Sequence, residues 1–290
     1  MPAQLWVSIA ELGCFAGLLG LGYFLVLRGA GIFMFALGPF AMFNAMLASH
    51  LAIRNGWPAP LAILSGIVVA VIAAALTELL IVRPIHIRTG GDEEPAIVAI
   101  VAVLFAVEQL AGTIFGRTAL AGQKWWSADI VRTEDVVITG QAVVLVAMTL
   151  ALFAGVGAWM RRTGYGRMLR AVGDNERAAR MLGVPVYRIR LVAFAIAGGL
   201  AGIAGSIFAA KAGVSFTSGL HWSLAGFLAI IVGGLGSVWA PLAGGLIVAG
   251  IQTASVYYLG HATLDYATFV LAFLFFLIRP KGIFQAKVRI

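Results

Sequence analysis

The stretch RRTGYGRMLRAVGDNERAARMLGVPVYRIR, residues 161–190, carries eight arginines, no lysine and only two acids. Apolar segments flank it at about 138–160 and 191–210, each long enough to cross a hydrocarbon core about 30 Å thick. A basic loop between two such segments is what a membrane protein places on its cytoplasmic side. The rest of the chain has the same character. Of its 290 residues 61% are hydrophobic and 11% charged, and the mean hydropathy is +1.00. So few charges cannot cover the surface of a soluble protein of this length.

Nine apolar segments can be laid out, at about 6–27, 31–53, 58–82, 95–116, 138–160, 191–210, 222–238, 241–260 and 264–279. The sequence therefore reads as an all-α polytopic integral membrane protein, a single transmembrane domain over 1–290. The seventh and eighth segments are short, and GGLGSVWAPLAGG (233–245) between them is rich in helix breakers. A half-helix or re-entrant turn is expected near 222–245, a feature tolerated only where protein or water surrounds it.

Charge sets the expected orientation. If 161–190 is cytoplasmic and the segments alternate, the cytoplasmic side holds Arg28, Arg83, Arg88, the eight loop arginines, Arg279, Lys281, Lys287 and Arg289. The other side holds only Arg54, Arg117, Lys124, Arg132 and Lys211. Fifteen against five places the N-terminus outside and the C-terminus in the cytoplasm. The opening MPAQLWVSIAELG lacks a basic leading region and carries Glu11, so it is expected to be a retained helix. In TGGDEEP (89–95) three acids and a proline mark the start of the fourth helix. The GxxxG pairs Gly13/Gly17 and Gly198/Gly202 are expected to serve internal packing.

Several function classes fall away. The net charge of +8 and pI near 10.1 follow from the loops, so nucleic acid is not an expected partner. Cys14 is the only cysteine, which rules out an internal disulfide or a thiolate metal cage. His50, His86, His221 and His261 lack metal-ligand spacing, and no metal site is expected. There is no G-x-x-x-x-G-K-[ST], G-x-S-x-G or H-E-x-x-H, so neither an ATP site nor an intramembrane enzyme is expected.

Within the basic loop, GDNERAARMLGVP (173–185) predicts a short helix over about 175–182. Asp174 is the expected N-cap, Glu176 lies in the first turn, Gly183 supplies a left-handed exit and Pro185 blocks continuation. Ala178 and Leu182 share a face, with Ala179 and Met181 beside them. Isolated two-turn helices are unstable in water, so this one should pack against something. A groove on a cytoplasmic partner would serve.

The stretch GYGRMLRAVGDNERAARMLGVPVYRIRLVAFAIAGGLAGIAGSIFA (164–209) resembles the permease subunits of branched-chain amino acid ABC importers, the LivH/LivM type. GLLGLGYFLVLRGAGIFMFALGPFAMFNAMLA (17–48) looks like that family's first helix pair. TELLIVRPI (77–85) matches its Glu-x-x-x-x-Arg-Pro signature through Glu78, Arg83 and Pro84. GGLGSVWAPLAGGLIVAGIQTASVYYL (233–259), with Gly233, Gly234 and Gly236, and FLIRPKGIF (276–284) look like its closing segments. The length is similar to that of the LivH-like member.

The resemblance implies a membrane subunit that performs no chemistry and binds no cofactor, with ATP and Mg used by separate subunits. The implied partners are two cytoplasmic ATPase subunits, a second homologous permease and an extracytoplasmic solute-binding protein, in a bacterial inner membrane. It makes the arginine-rich loop the ATPase-coupling element, through Arg170, Asp174, Asn175, Glu176, Ala178, Ala179, Leu182 and Gly183. One departure concerns the solute. Where family members carry a polar run, Asn-Phe-Ala-(His or Gln)-Gly-Glu, this chain has Met34, Phe35, Ala36, Leu37, Gly38 and Pro39.

Residues expected along the pathway are Phe35, Gly38, Asn44, Glu108, Gln109 and Gln252. Glu108 lies near the middle of its segment, where a charge costs about 2.5–3.5 kcal/mol on insertion scales, so it should face water, a partner or the bundle interior. A hydrogen bond to another helix would serve Glu108 equally well. Asn44, Gln141 and Gln252 are also candidates for interhelical bonds. Glu11 and Glu78 are expected near segment ends, within reach of headgroups or a nearby arginine, and Asp265 at the start of the last helix. The solute is expected to be a branched-chain or related hydrophobic amino acid, with another small organic solute as the alternative. A stand-alone secondary transporter would account for the broken helices but not for a capped, partner-seeking loop helix.

Overall fold

The computed structural model describes residues 3–90, 92, 94–125, 129–132, 137–260, 270 and 277. Apart from residues 270 and 277, the ninth apolar segment, with Asp265 and the RPKGIF stretch, lies outside the described residues, as does His261. Among the described residues eleven helices have defined bounds, in order: α1 Ala3–Ala30, α2 Leu37–Arg54, α3 Ala59–Thr77, α4 Arg83–Arg88, α5 Glu94–Phe115, α6 Gly140–Arg162, α7 Gly164–Asp174, α8 Glu176–Met181, α9 Val186–Ala212, α10 Ser218–Gly233 and α11 Ala240–Leu259. A small antiparallel pair, β1 (Asp129–Arg132) and β2 (Val137–Thr139), sits between α5 and α6. The first eight apolar segments each fall on a helix.

Among the described residues, six helical stretches are long and apolar enough to cross a membrane: 4–30, 59–88, 94–115, 140–162, 186–212 and 240–259. α1 is the axis of the bundle. Its face is buried all round, and α11, α9, α10, α6 and α7 pack on it. α2 and α10 are the other inner helices, in contact with each other and with α1 and α9 or α5. Being shielded by protein, they can be less apolar or shorter than a lipid-facing span. The lipid boundary is visible on α3, where Leu61, Leu64, Val68, Ile72 and Leu76 are exposed at helical spacing.

The two GxxxG pairs act inside this chain. A methyl group on Gly13 or Gly17 would press on Leu246 or Leu242 of α11, and one on Gly198 or Gly202 on Ala70 or Ile67 of α3. They set the close approach of α1 to α11 and of α9 to α3.

The third segment runs further than its hydropathy suggests. α3 passes into α4 through a π-turn at Glu78–Val82, where the Arg83 N–H bonds to the Glu78 carbonyl five residues back. Pro84 explains the widened turn, because its ring would clash with the fourth carbonyl before it in a regular helix. The Glu-x-x-x-x-Arg-Pro spacing thus builds one local distortion.

α10 has 16 residues and is about 24 Å long, short of a full crossing. Its first turn meets Glu108 of α5, seven residues and so about 10 Å inward from the Phe115 end of that helix. Between α9 and α10 the chain descends as irregular backbone. It leaves Ala212 through Gly213 (φ 70°), pairs Val214 with Leu120 and packs Phe216 on Gly112. Val214 is buried, Gly213, Ser215 and Phe216 are half-buried and Thr217 is exposed; irregular backbone at this depth is tolerated where protein or water surrounds it. The breaker run then ends α10 at Gly234 (φ 87°).

Candidate functional site

Two regions collect the residues singled out by sequence. The first is the basic loop, which is more ordered than a single helix. α7 is amphipathic and buries Gly166, Leu169 and Val172 against the bundle, with Leu169 and Gly173 reaching the Gly29 and Arg28 end of α1. Thr163 caps α7, accepting from Gly166 N at 3.1 Å. Asp174 is not the cap of the short helix. It ends α7 and pairs with Arg28 at 3.2 Å, and Arg28 also donates to the Leu235 carbonyl at 2.9 Å. These bonds place the loop, the end of α1 and the turn after α10 on one face of the bundle.

The cap of α8 is Asn175, whose side chain accepts from Ala178 N at 3.0 Å. The sequence offers Asp174 and Asn175 side by side. Asn175 takes the role because α7 holds Asp174 in helical conformation while Asn175 is extended (φ −160°, ψ 101°). Gly183 makes the expected left-handed exit at φ 78°. Of the α8 side chains only Ala179 is buried, against the protein. Ala178 is exposed, and Met181 and Leu182 are 87% and 84% exposed, an apolar pair held outward at the end of a capped helix. Arg170 is also exposed on α7.

Beneath α8 the charged groups interlock. Glu176 bonds Arg180 at 2.6 Å. Burial lowers the pKa of Arg180, but the Glu176 carboxylate and the Tyr187 hydroxyl together outweigh this, raising it overall. The Arg180 and Arg83 guanidiniums lie over the Tyr187 ring, 5.2 and 4.8 Å from its centroid. Deeper still, Glu78 and Arg190 are fully buried. Arg190 donates to the Ala30 carbonyl at 3.1 Å, and the charges of Arg190 and Arg83 act on Glu78. Glu78 thus has the nearby arginines expected of it, but it is embedded in the bundle and not at a segment end. Glu11 is buried too, paired with Lys211 from the end of α9.

The second region lies where α2, α5 and α10 converge. Gly38 touches α10 so closely that a β-carbon would overlap the Gly219 carbonyl and Ser223. Its N–H donates to Ser223 Oγ at 3.2 Å, and that hydroxyl donates to the Phe35 carbonyl at 2.5 Å. Tyr23 donates to the Ser223 carbonyl at 3.2 Å. Glu108 Oε1 accepts from Leu220 N at 2.7 Å, in the first turn of α10. Thr217, the residue preceding that turn, makes no side-chain cap, so α5 supplies one from a different helix. The interhelical option for Glu108 is the bond observed.

Asn44 donates to the Gly202 carbonyl of α9, and Gln141 to the Ile207 carbonyl at 2.8 Å, so both join helices. Gln109 is exposed on α5, and Gln252 is half-buried on α11. Met34, Ala36, Leu37 and Pro39 are buried in the core, whereas Phe35 is half-buried. Phe35 makes tilted ring contacts with Phe33 and Phe227, at centroid distances of 6.1 and 5.2 Å, and Phe33 lies 5.2 Å from Phe227. Sequence reasoning missed Phe33, Phe227 and Ser223, because only the fold brings α10 beside the start of α2.

A match to the family described as branched-chain amino acid transport system, permease component, covers residues 5–279. The chain belongs to this family. It is therefore a multi-pass membrane permease of the ABC transporter class, a subunit that is not itself catalytic. The chain is 26% identical to the high-affinity branched-chain amino acid transport permease LivH of Escherichia coli K12, over 94% of this chain and 92% of that one. It is 33% identical to the autoinducer 2 import permease LsrC of Enterobacter sp. strain 638, over 65% of this chain and only 52% of LsrC. A xylose transport permease, XylH of Haemophilus influenzae, is 34% identical over 42% of this chain and 33% of its own. Among solved structures, PsaBC from Streptococcus pneumoniae in complex with Fab matches with a TM-score of 0.53 and 15% identity, over 96% of this chain and 91% of that one, a likeness of fold.

Proposed function

We propose that this chain forms one half of the solute pathway of an ABC importer and that α8 is its contact with a cytoplasmic ATPase subunit. One observation carries the reading: Met181 and Leu182 stand almost fully exposed on a helix fixed by the Asn175 cap, the Glu176–Arg180 bond and the buried Ala179. An apolar pair held rigidly outward beside arginines suits an acid-rimmed groove. The reading includes two ATPase subunits that use ATP and Mg, a second permease of the same family, and an extracytoplasmic solute-binding protein. The inner membrane of a bacterium is the proposed location. The N-terminus lies outside, since the loop, the Arg28 end of α1 and the turn after α10 share one face and hold most of the arginines.

For the solute, the half-buried rings of Phe33, Phe35 and Phe227 support a small hydrophobic amino acid, and similarity to LivH over almost the whole chain favours the branched-chain class. In this reading Phe35 borders the path, while Gly38, Asn44 and Glu108 hold α2 and α10 in place. Leu182→Arg tests the coupling role, because it converts an apolar contact into a buried unpaired charge. The variant should insert normally, lose its ATPase subunits on purification and lose ATP-driven uptake. Normal uptake with full recovery of the complex refutes the docking surface.

A further inference from the structure

Between the π-turn helix and the start of α9 lies a cavity of about 310 Å³, lined by Arg83, Arg180, Val184, Pro185, Val186, Tyr187 and Arg188. Three arginines line it and no acid does. Glu176 occupies Arg180, and the charge of Glu78 acts on Arg83 from below. The Arg83 side chain makes its ring contact with Tyr187 but no hydrogen bond or ion pair among the described residues, and the Arg188 side chain makes no ring contact, hydrogen bond or ion pair among them. Guanidinium donors are therefore left facing an open cavity. Unused guanidinium forks around a small space match the oxygens of a phosphate group, which they bind bidentately.

The setting selects the source of that phosphate. Arg83 belongs to a membrane-crossing stretch, 59–88, and Arg188 to another, 186–212, each near its end. The helix that carries Arg83 exposes Leu80 at 68% and Ile87 at 58%, an apolar wall for acyl chains beside the arginines. A basic pocket between membrane helices, at the level where headgroups lie, is the arrangement that holds anionic phospholipids.

We infer that this cavity is a binding site for a phosphate group, supplied by the headgroup of an anionic phospholipid whose chains lie along Leu80 and Ile87. Bound there, the headgroup bridges the π-turn of the third span to Tyr187 and Arg188, the residues through which the coupling loop enters α9. The site rests on the loop's position at the membrane boundary and not on ATPase docking, so binding rather than uptake is its readout.

The test uses the purified full chain with its partner subunits, in phosphatidylcholine nanodiscs containing increasing phosphatidylglycerol. Phospholipid retained after delipidation is counted by native mass spectrometry, and inorganic phosphate binding in lipid-free detergent is measured by equilibrium dialysis. Arg83→Gln and Arg188→Gln should each weaken phosphatidylglycerol retention about fivefold, the effect of one arginine at a membrane surface. Arg161→Gln, on the same face but outside the cavity, should not. If inorganic phosphate binds with the same dependence on Arg83 and Arg188 while lipid retention is unchanged, the site stands and its ligand is the free ion. Should Arg83→Gln fail to assemble, Arg188→Gln at an exposed position carries the test alone. Equal retention of lipid and phosphate by wild type, Arg188→Gln and Arg161→Gln overturns the site.

Discussion

Glu108→Leu and Glu108→Gln together separate a structural carboxylate from one that meets solute. In the structure Glu108 Oε1 accepts the Leu220 N–H at 2.7 Å and is the side chain that caps α10, because Thr217 does not. Leucine removes the acceptor of a part-buried N–H, a loss of up to about 1–3 kcal/mol. Glutamine keeps an acceptor oxygen at the same position. It gives up only the attraction between a carboxylate and the helix N-terminus, about 0.3–1 kcal/mol, and also avoids the cost of a buried charge. The expected order of stability is wild type close to Glu108→Gln, with Glu108→Leu clearly lower. Thermal unfolding of the purified protein in detergent reads that order. Uptake competition with a panel of amino acids, amides and aromatic carboxylates then tests the path, and the Glu108→Gln profile should match wild type. If leucine leaves stability unchanged, the capping argument is wrong. If glutamine alters the competition profile, Glu108 meets the solute and its place in the pathway is restored.

Two further expectations follow from the loop and the topology. Asn175→Ala removes the cap of a helix of only six residues, costing about 1 kcal/mol, and should raise amide exchange across 176–181 without changing exchange in α7; unchanged protection there contradicts the cap. Single cysteines at Asn55 and Arg177, both exposed, in a Cys14→Ser background should label oppositely with a membrane-impermeant thiol reagent on intact cells, Asn55 reacting and Arg177 not. Labelling at 177 reverses the proposed orientation.

The sequence by itself determined the helices that touch lipid or carry end signals. Runs such as 95–116 and 138–160 are apolar because hydrocarbon surrounds part of each, and that need is written in composition. Gly183 marked a left-handed exit because other residues strain there, and φ 78° is found at that position. Composition is silent where protein replaces lipid. α7 has no membrane-length apolar run, so its residues read as loop, since its buried face is only Gly166, Leu169 and Val172 meeting the bundle. The sequence points to Asp174 as the cap, and the helix running into Asp174 moves that role to Asn175. The role of Glu108 depended on α10 beginning about 10 Å inside the bundle, which no spacing along the chain encodes. Cavities and interhelical bonds arise between segments distant in sequence, here Arg83 with Tyr187 and Phe35 with Phe227. Their chemistry was fixed by residue identity, and their meeting was decided by the packing of α1, α2, α9 and α10.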